Sequence, residues 1–300
     1  MASTRELRRR IRSVKNTSQI TKAMQMVAAT KMRRAQNQAI SGRPYNQNLN
    51  HALVRLLPKL NDFTHPLLKD NESKNVGVLL LTTDKGLAGA LNTNIFRAVQ
   101  NFSKENANLS FYTVGKKGRT FVAKMGKNLI ADFENHDLVS FRTAKQIARL
   151  LSESFLKKEL GKAYITYPHF VSSLRQEPKI VQLLPIDSQE MFNRLSEMTG
   201  LDNQEKNKHQ ALKEGNEFLI EPKISELLNE LLTHYLEISI FQGMMETKAS
   251  EHSARMIAMK NATDNAKELV EDLTLAYNQT RQDNITRELL EITSAAAAME

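Results

Sequence analysis

The chain has 300 residues, room for one large domain or two ordinary ones, and its 41% hydrophobic and 25% charged residues are the balance of a folded protein. Having no cysteine, it forms no disulfide, no thiolate metal site and no cysteine nucleophile. Its net charge of +9 points to a polyanionic partner: nucleic acid, an anionic membrane surface or an acidic protein face.

No apolar run approaches the roughly 20 residues that span a bilayer, and the N-terminus has no apolar signal core. Helical heptads begin at once, so no cleaved transit peptide is expected. The first sixty residues are strongly basic, with Glu6 alone opposing them, and proline is absent until Pro44. Leu7, Ile11, Val14, Ser18, Thr21, Gln25, Ala28, Met32, Ala35 and Ala39 alternate steps of four and three. That rhythm predicts a long helix over 1–60 with a narrow seam, more coiled coil than globular core. Ile20, Met24 and Val27 make a second, shorter stripe.

The middle of the chain changes texture. Residues 76–84, 110–115, 128–133, 162–170 and 178–186 read as strands, and 92–106, 116–126 and 143–160 as helices. Alternation of this kind predicts a Rossmann-like α/β domain over 75–192, with a mostly parallel sheet of about five strands. The short link between the last two strands predicts an antiparallel edge hairpin. Residues 193–218 are polar and read as a loop or insertion.

From Lys223 to Glu300 there is no proline and Gly243 is the single glycine. Met245, Ala249, His252, Met256, Met259, Thr263, Ala266, Val270, Leu273, Tyr277, Thr280 and Asn284 repeat the four-three step, so 219–300 reads as one long coiled-coil helix. The expected partner is the N-terminal helix, antiparallel, with opposed residue numbers summing to about 280. Met1 then faces a residue near 279, and the remainder overhangs by about 30 Å. On that overhang Ile285, Leu289, Ile292, Ala296 and Met299 form an apolar stripe that needs a cover from another molecule.

Candidate chemistry is sparse. The turn "TTDKGLAGALN" (82–92), with Asp84, Gly86 and Gly89, follows the first strand and precedes a helix, where phosphate is often cradled. It lacks both GxGxxG and GK[ST] spacing, and reads as a tight structural turn, or as a place where another chain comes close. The basic N-terminal helix has no aromatic residue before Tyr45 and its charges lie on most faces, a poor pattern for a DNA groove. The methionines, among them Met24, Met26, Met32, Met244, Met245, Met256 and Met259, read as seam packing. His252 reads as a packed seam residue, and Glu246 and Glu251 as surface charges. No metal-ligand spacing and no nucleophile, base and oxyanion set emerges, so neither a cofactor nor a metal is expected.

"ITKAMQMVAATKMRRAQ" (20–36), "TTDKGLAGALN" (82–92), "EHSARMIAMKNATDNA" (251–266) and "YNQTRQDNITRELLEITSAAAA" (277–298) resemble the gamma-subunit family of F-type ATP synthases. The resemblance runs the length of the chain and follows the family's helix–domain–helix order. It implies a non-catalytic central rotor shaft inside a hexamer of alpha and beta subunits, which carry the nucleotide sites. It implies a foot that joins the epsilon subunit and the ring of c subunits. The family's contacts to beta carry over onto Arg281 and Gln282, with Lys22 and Met24 on the facing helix and Arg255 close by. The overhanging tip corresponds to the part of the shaft held in an apolar bearing. Where the family often has a cysteine in the glycine block, this chain has Ala88. The redox insertion of chloroplast forms is absent, and the implied location is the cytoplasmic face of a bacterial cell membrane, reached only through the complex. Nucleic acid is not among the implied partners. The alternative from the residues alone is a basic coiled-coil regulator that binds nucleotide or nucleic acid.

Overall fold

The computed structural model describes residues 3–41, 65–106, 108–187, 224–297 and Met299. The expected continuation of the first helix to residue 60 and the polar segment 193–218 lie outside them, wholly or for the most part. Two compact units emerge, Met1–Thr30 with Arg255–Glu300, and Lys31–Ala254.

The larger unit is built on a five-stranded sheet of order β3-β2-β1-β4-β5. Its strands are β1 (Val76–Leu81), β2 (Leu109–Val114), β3 (Asn128–Phe133), β4 (Lys162–Phe170) and β5 (Gln176–Leu184). All neighbours are parallel except β4 and β5, the expected edge hairpin, which pairs from Ala163 opposite Leu184 to Phe170 opposite Gln176. The helices between strands are α2 (Leu91–Glu105), α3 (Lys116–Lys124) and α4 (Phe141–Leu156), close to the sequence expectation.

Strand β1 is central because its run VGVLLL is apolar on both faces, as a strand covered on both sides must be. Alternation sends Leu79 and Leu81 to one core, with Ile147 and Leu151 of α4. Leu232, Leu236 and Ile240, from the C-terminal helix α5 (Ile224–Ala297), complete that core. Val78 and Leu80 face the other way, onto Ile95 and Val99 of α2 and Val122 of α3. Gly243 lets α5 lie close on the sheet. A Cβ there would stand 2.8 Å from Ile165 Cδ1 and 3.3 Å from Leu81 Cδ1.

Two charges expected on the surface are instead built into this packing. Glu246 is half-buried, with His169 Nδ1 of β4 2.5 Å from its Oε2. Glu251 is buried, and Lys248, equally buried, reaches it at 3.4 Å. Lys248 Nζ also donates to Asn135 O at 3.0 Å, while Asn135 Nδ2 donates to Thr82 O at 2.6 Å. Polar groups carried into a core by a helix need partners of this kind, because burial without them is costly. His252 is buried, as a seam residue should be. Met244, Met245 and Met259 are buried too, but Met26 is exposed, as are Ile20 and Val27 of the second stripe.

The crossing after β2 depends on one backbone position. Gly115 has φ +101°, and a Cβ on it would lie 2.4 Å from Thr82 O. Gly115→Ala therefore combines left-handed strain with a clash against main chain, and is expected to destabilise the full chain by about 2–4 kcal/mol. Denaturant unfolding followed by circular dichroism measures it; a midpoint equal to the parent's contradicts this account of the crossing.

Candidate functional site

The smaller unit pairs α1 (Thr4–Ser41), up to Thr30, with α5 from Arg255 onward. The four-three stripe read from the sequence is the contact face. Leu7, Thr21 and Ala28 are buried on α1, and Met259, Thr263 and Ala266 on α5. The threonines and alanines among them allow close approach and bury little apolar area, with Leu7 and Met259 as the larger apolar members. At its middle Thr21 Oγ1 and Thr263 Oγ1 lie 2.7 Å apart. Nearer the start of α1, Arg8 Nη2 donates to Tyr277 Oη at 2.6 Å, and its guanidinium lies 5.5 Å from the ring centroid. This pair is a seam anchor that the sequence reading missed; an arginine beside the stripe on one helix and an aromatic residue on the other were its signal.

The helices are antiparallel, as expected, but the register differs. A sum of 280 would set Thr21 against Met259; it meets Thr263, about one helical turn further on. Residue counting between prolines does not resolve a difference of one turn.

The residues expected to couple with beta divide into two groups. Lys22 is exposed and Met24 half-buried on α1, near the level of the threonine pair, and Arg255 is half-buried roughly two turns along α5. Arg281 and Gln282 are exposed on α5 and lie about 27 Å along the helix from Thr263. Arg281 and Gln282 thus stand at a different height of the coil from Lys22 and Met24.

Every described side chain from Arg281 to Ala295 is exposed. Ile285, Leu289 and Ile292 are 45%, 58% and 66% exposed, and Met299 is 90% exposed, which is a large cost for apolar side chains left in water. Ala296 belongs to the helix, and its side chain lies outside the described residues.

The glycine turn of the larger unit is closed by its own bonds. Asp84 Oδ1 accepts from Lys116 N at 2.9 Å, Asn92 Nδ2 donates to Thr83 Oγ1 at 2.8 Å, and Thr83 Oγ1 donates to Lys85 O at 2.7 Å. Gly89 has φ +56°, where a side chain is strained, whereas a Cβ on Gly86 or Gly89 would meet open space. The Asp84 bond ties the turn to the start of α3, and the Thr83 bonds hold it from within.

These features define a class: a coiled-coil protein with an α/β domain, in which one coil helix runs on without cover. The family model described as ATP synthase matches residues 3–299. An ATP synthase gamma chain of Methylacidiphilum infernorum is 44% identical over the whole of both chains, and that of Opitutus terrae is 40% identical over 99% of each. The central stalk in a cryo-EM structure of the Tetrahymena thermophila mitochondrial ATP synthase is 25% identical, with a TM-score of 0.58, over 81% of this chain and 99% of that one. A chain of the Euglena gracilis mitochondrial ATP synthase shares the fold, with a TM-score of 0.65 at 22% identity over 99% of this chain and 94% of that one. The chain belongs to the ATP synthase gamma-chain family and is a subunit of that complex. Among the described residues, no helix is long and apolar enough to cross a membrane.

The threonine pair gives a test of how the seam works. Thr21→Val removes one hydroxyl of a buried pair and is expected to cost about 1 kcal/mol, whereas Thr21→Val with Thr263→Val removes both and restores most of the loss. Thermal melting of the full chain for both single variants and the double variant measures the coupling. Additive losses would show that the two hydroxyls do not act as a pair.

Proposed function

We propose that this chain is the central rotor shaft of a bacterial ATP synthase. It transmits the rotation of a membrane ring of c subunits to nucleotide sites carried by alpha and beta subunits. The observation that carries the reading is the change along α5: a partly covered seam as far as the half-buried Tyr277 and Thr280, then an apolar stripe at Ile285, Leu289 and Ile292 left exposed. A helix of this composition is stable in water only when another surface covers that stripe, and the sleeve formed by alpha and beta subunits is the proposed cover. The overhang with its bearing tip, the 1–60 helix, the foot of 75–192 and the 193–218 insertion are the proposed divisions of the chain.

The chain performs no bond chemistry in this reading. Turning the shaft brings a different face to each beta subunit in succession, and unequal contact shifts the conformational equilibrium of each site. Lys22, Met24 and Arg255 supply one level of contact to beta, and Arg281 with Gln282 a second. Carboxylates and backbone carbonyls suit the arginines and lysine as acceptors. A bearing that turns cannot hold through fixed directional bonds, and small or apolar side chains give contact with little angular preference. The α/β domain joins epsilon and the c ring, with the Asp84–Gly89 turn as a rigid part of it. The protein then lies at the cytoplasmic face of the cell membrane, attached through its partners.

Two variants test this in the complex reconstituted with alpha and beta. Arg281→Ala with Gln282→Ala removes contacts worth roughly 1.5–3 kcal/mol for a charge-assisted hydrogen bond, so ATP-driven rotation and coupled ion pumping are expected to fall while nucleotide still binds. Unchanged rates in a normally assembled complex would remove these residues from the coupling surface. Ile292→Asp replaces a side chain that is exposed in the single chain. The lone variant is expected to be at least as soluble as the parent, while assembly with alpha and beta weakens by several kcal/mol, because a buried charge would lack a partner. Assembly at parental strength would show that the tip is not held in an apolar sleeve.

A further inference from the structure

We propose that a cavity in the larger unit, bounded by α1, the segment after β3 and α5, is a binding site for one small oxyanion, a phosphate group. Its volume of about 60 Å³ holds several waters or one tetrahedral ion. The two helices line it with matching spacing. Lys31, Arg34 and Gln38 stand at successive steps of three and four on α1, as do Met245, Lys248 and His252 on α5, so each trio shares one helix face. Lys31, Arg34 and Lys248 are donors with no acceptor atom.

The local charge leaves room for an anion. Lys31 pairs with Asp137 at 2.6 Å and Lys248 with Glu251 at 3.4 Å. Arg34 remains, exposed and without an ion pair among the described residues, and its planar fork suits two oxygens of one phosphate. Lys248 is only 3% exposed, and its described bonds go to Asn135 O and Glu251. An ammonium has three N–H groups, so one has no described partner at the cavity. His252, 4% exposed, adds a buried ring to the same wall. The field there is positive: the hydrogen bond from Lys31 holds Asp137 below the usual carboxylate range against the effect of burial, and the charges of Lys31, Lys248 and His252 act in the same direction. A volume of this size admits a phosphate group and excludes a nucleoside, so the ion is free phosphate or the terminal phosphate of a nucleotide that stays outside. Once bound, it would bridge α1 to α5 and link the stability of this packing to phosphate concentration.

The test is thermal unfolding of the full chain in sodium phosphate and in sodium chloride at matched ionic strength, with the phosphorus NMR linewidth as a second measure. At tenfold excess over the dissociation constant, phosphate is expected to raise the midpoint by about 3 °C beyond chloride, with broadening of the phosphate resonance. Arg34→Gln, at an exposed position, should match the parent in chloride and lose most of that excess. An arm with ADP separates the sources: a larger excess than with phosphate alone assigns the cavity to a nucleotide's terminal phosphate, and an equal or smaller one to the free ion. Equal midpoints in phosphate and chloride, with no effect of ADP, overturn the proposal. So does an Arg34→Gln variant that keeps the full excess.

Discussion

A single unbroken helix, α5, serves three environments in turn, and the structure follows from that constraint. Its 74 residues make a rod about 110 Å in contour at the usual rise. From Tyr235 to Ser253 it is buried on nearly every side, as the third wall of an α/β core. From Met256 to Thr280 only one stripe is covered, and from Arg281 to Ala295 nothing described covers it. A helical backbone satisfies its own hydrogen bonds along its length, so the surroundings can change without breaking it. The change is written in the side chains: all-round burial, then a coiled-coil stripe, then a stripe awaiting another surface.

Within the first environment the cost of all-round burial falls on the charged residues. Glu237, Lys248 and Glu251 are all buried. Each is compensated: Glu237 by His234 and Lys145, Lys248 by Glu251 and the Asn135 carbonyl, and Glu246, partly buried, by His169. Removing one member of such a pair leaves an unpaired buried charge, which costs far more than the pair contributes. These bonds tie α5 to β4, α4 and the segment after β3, so the helix is fixed in rotation and in height where it meets the sheet. In the smaller unit the opposite choice holds. The seam offers alanines and a threonine pair, giving close approach with modest adhesion, and Arg8 with Tyr277 pins the coil near the start of α1. Rigid attachment in one unit and a slender coil in the other suit a subunit that transmits rotation through contacts at its surface.

Local periodicity determined most of the architecture in advance. The run VGVLLL is apolar at every position but its glycine, so it had to be a strand covered on both faces. Strand–helix alternation required parallel crossings, and the short link after Phe170 required an antiparallel edge. The four-three step of Leu7, Thr21 and Ala28, and of Met259, Thr263 and Ala266, named the buried seam, because the same 3.6-residue repeat governs both sequence and surface. What the tertiary structure alone decided is where distant segments meet. Thr21 meets Thr263, about one turn from the level that chain length alone suggested. Glu246 and Glu251 read as surface charges, since an acidic residue on a helix usually faces water. Their partners decided otherwise: His169 lies 77 positions away in sequence, and Lys248 is anchored by a carbonyl 113 positions away. A burial that depends on such distant groups leaves no periodic trace in the residues around it.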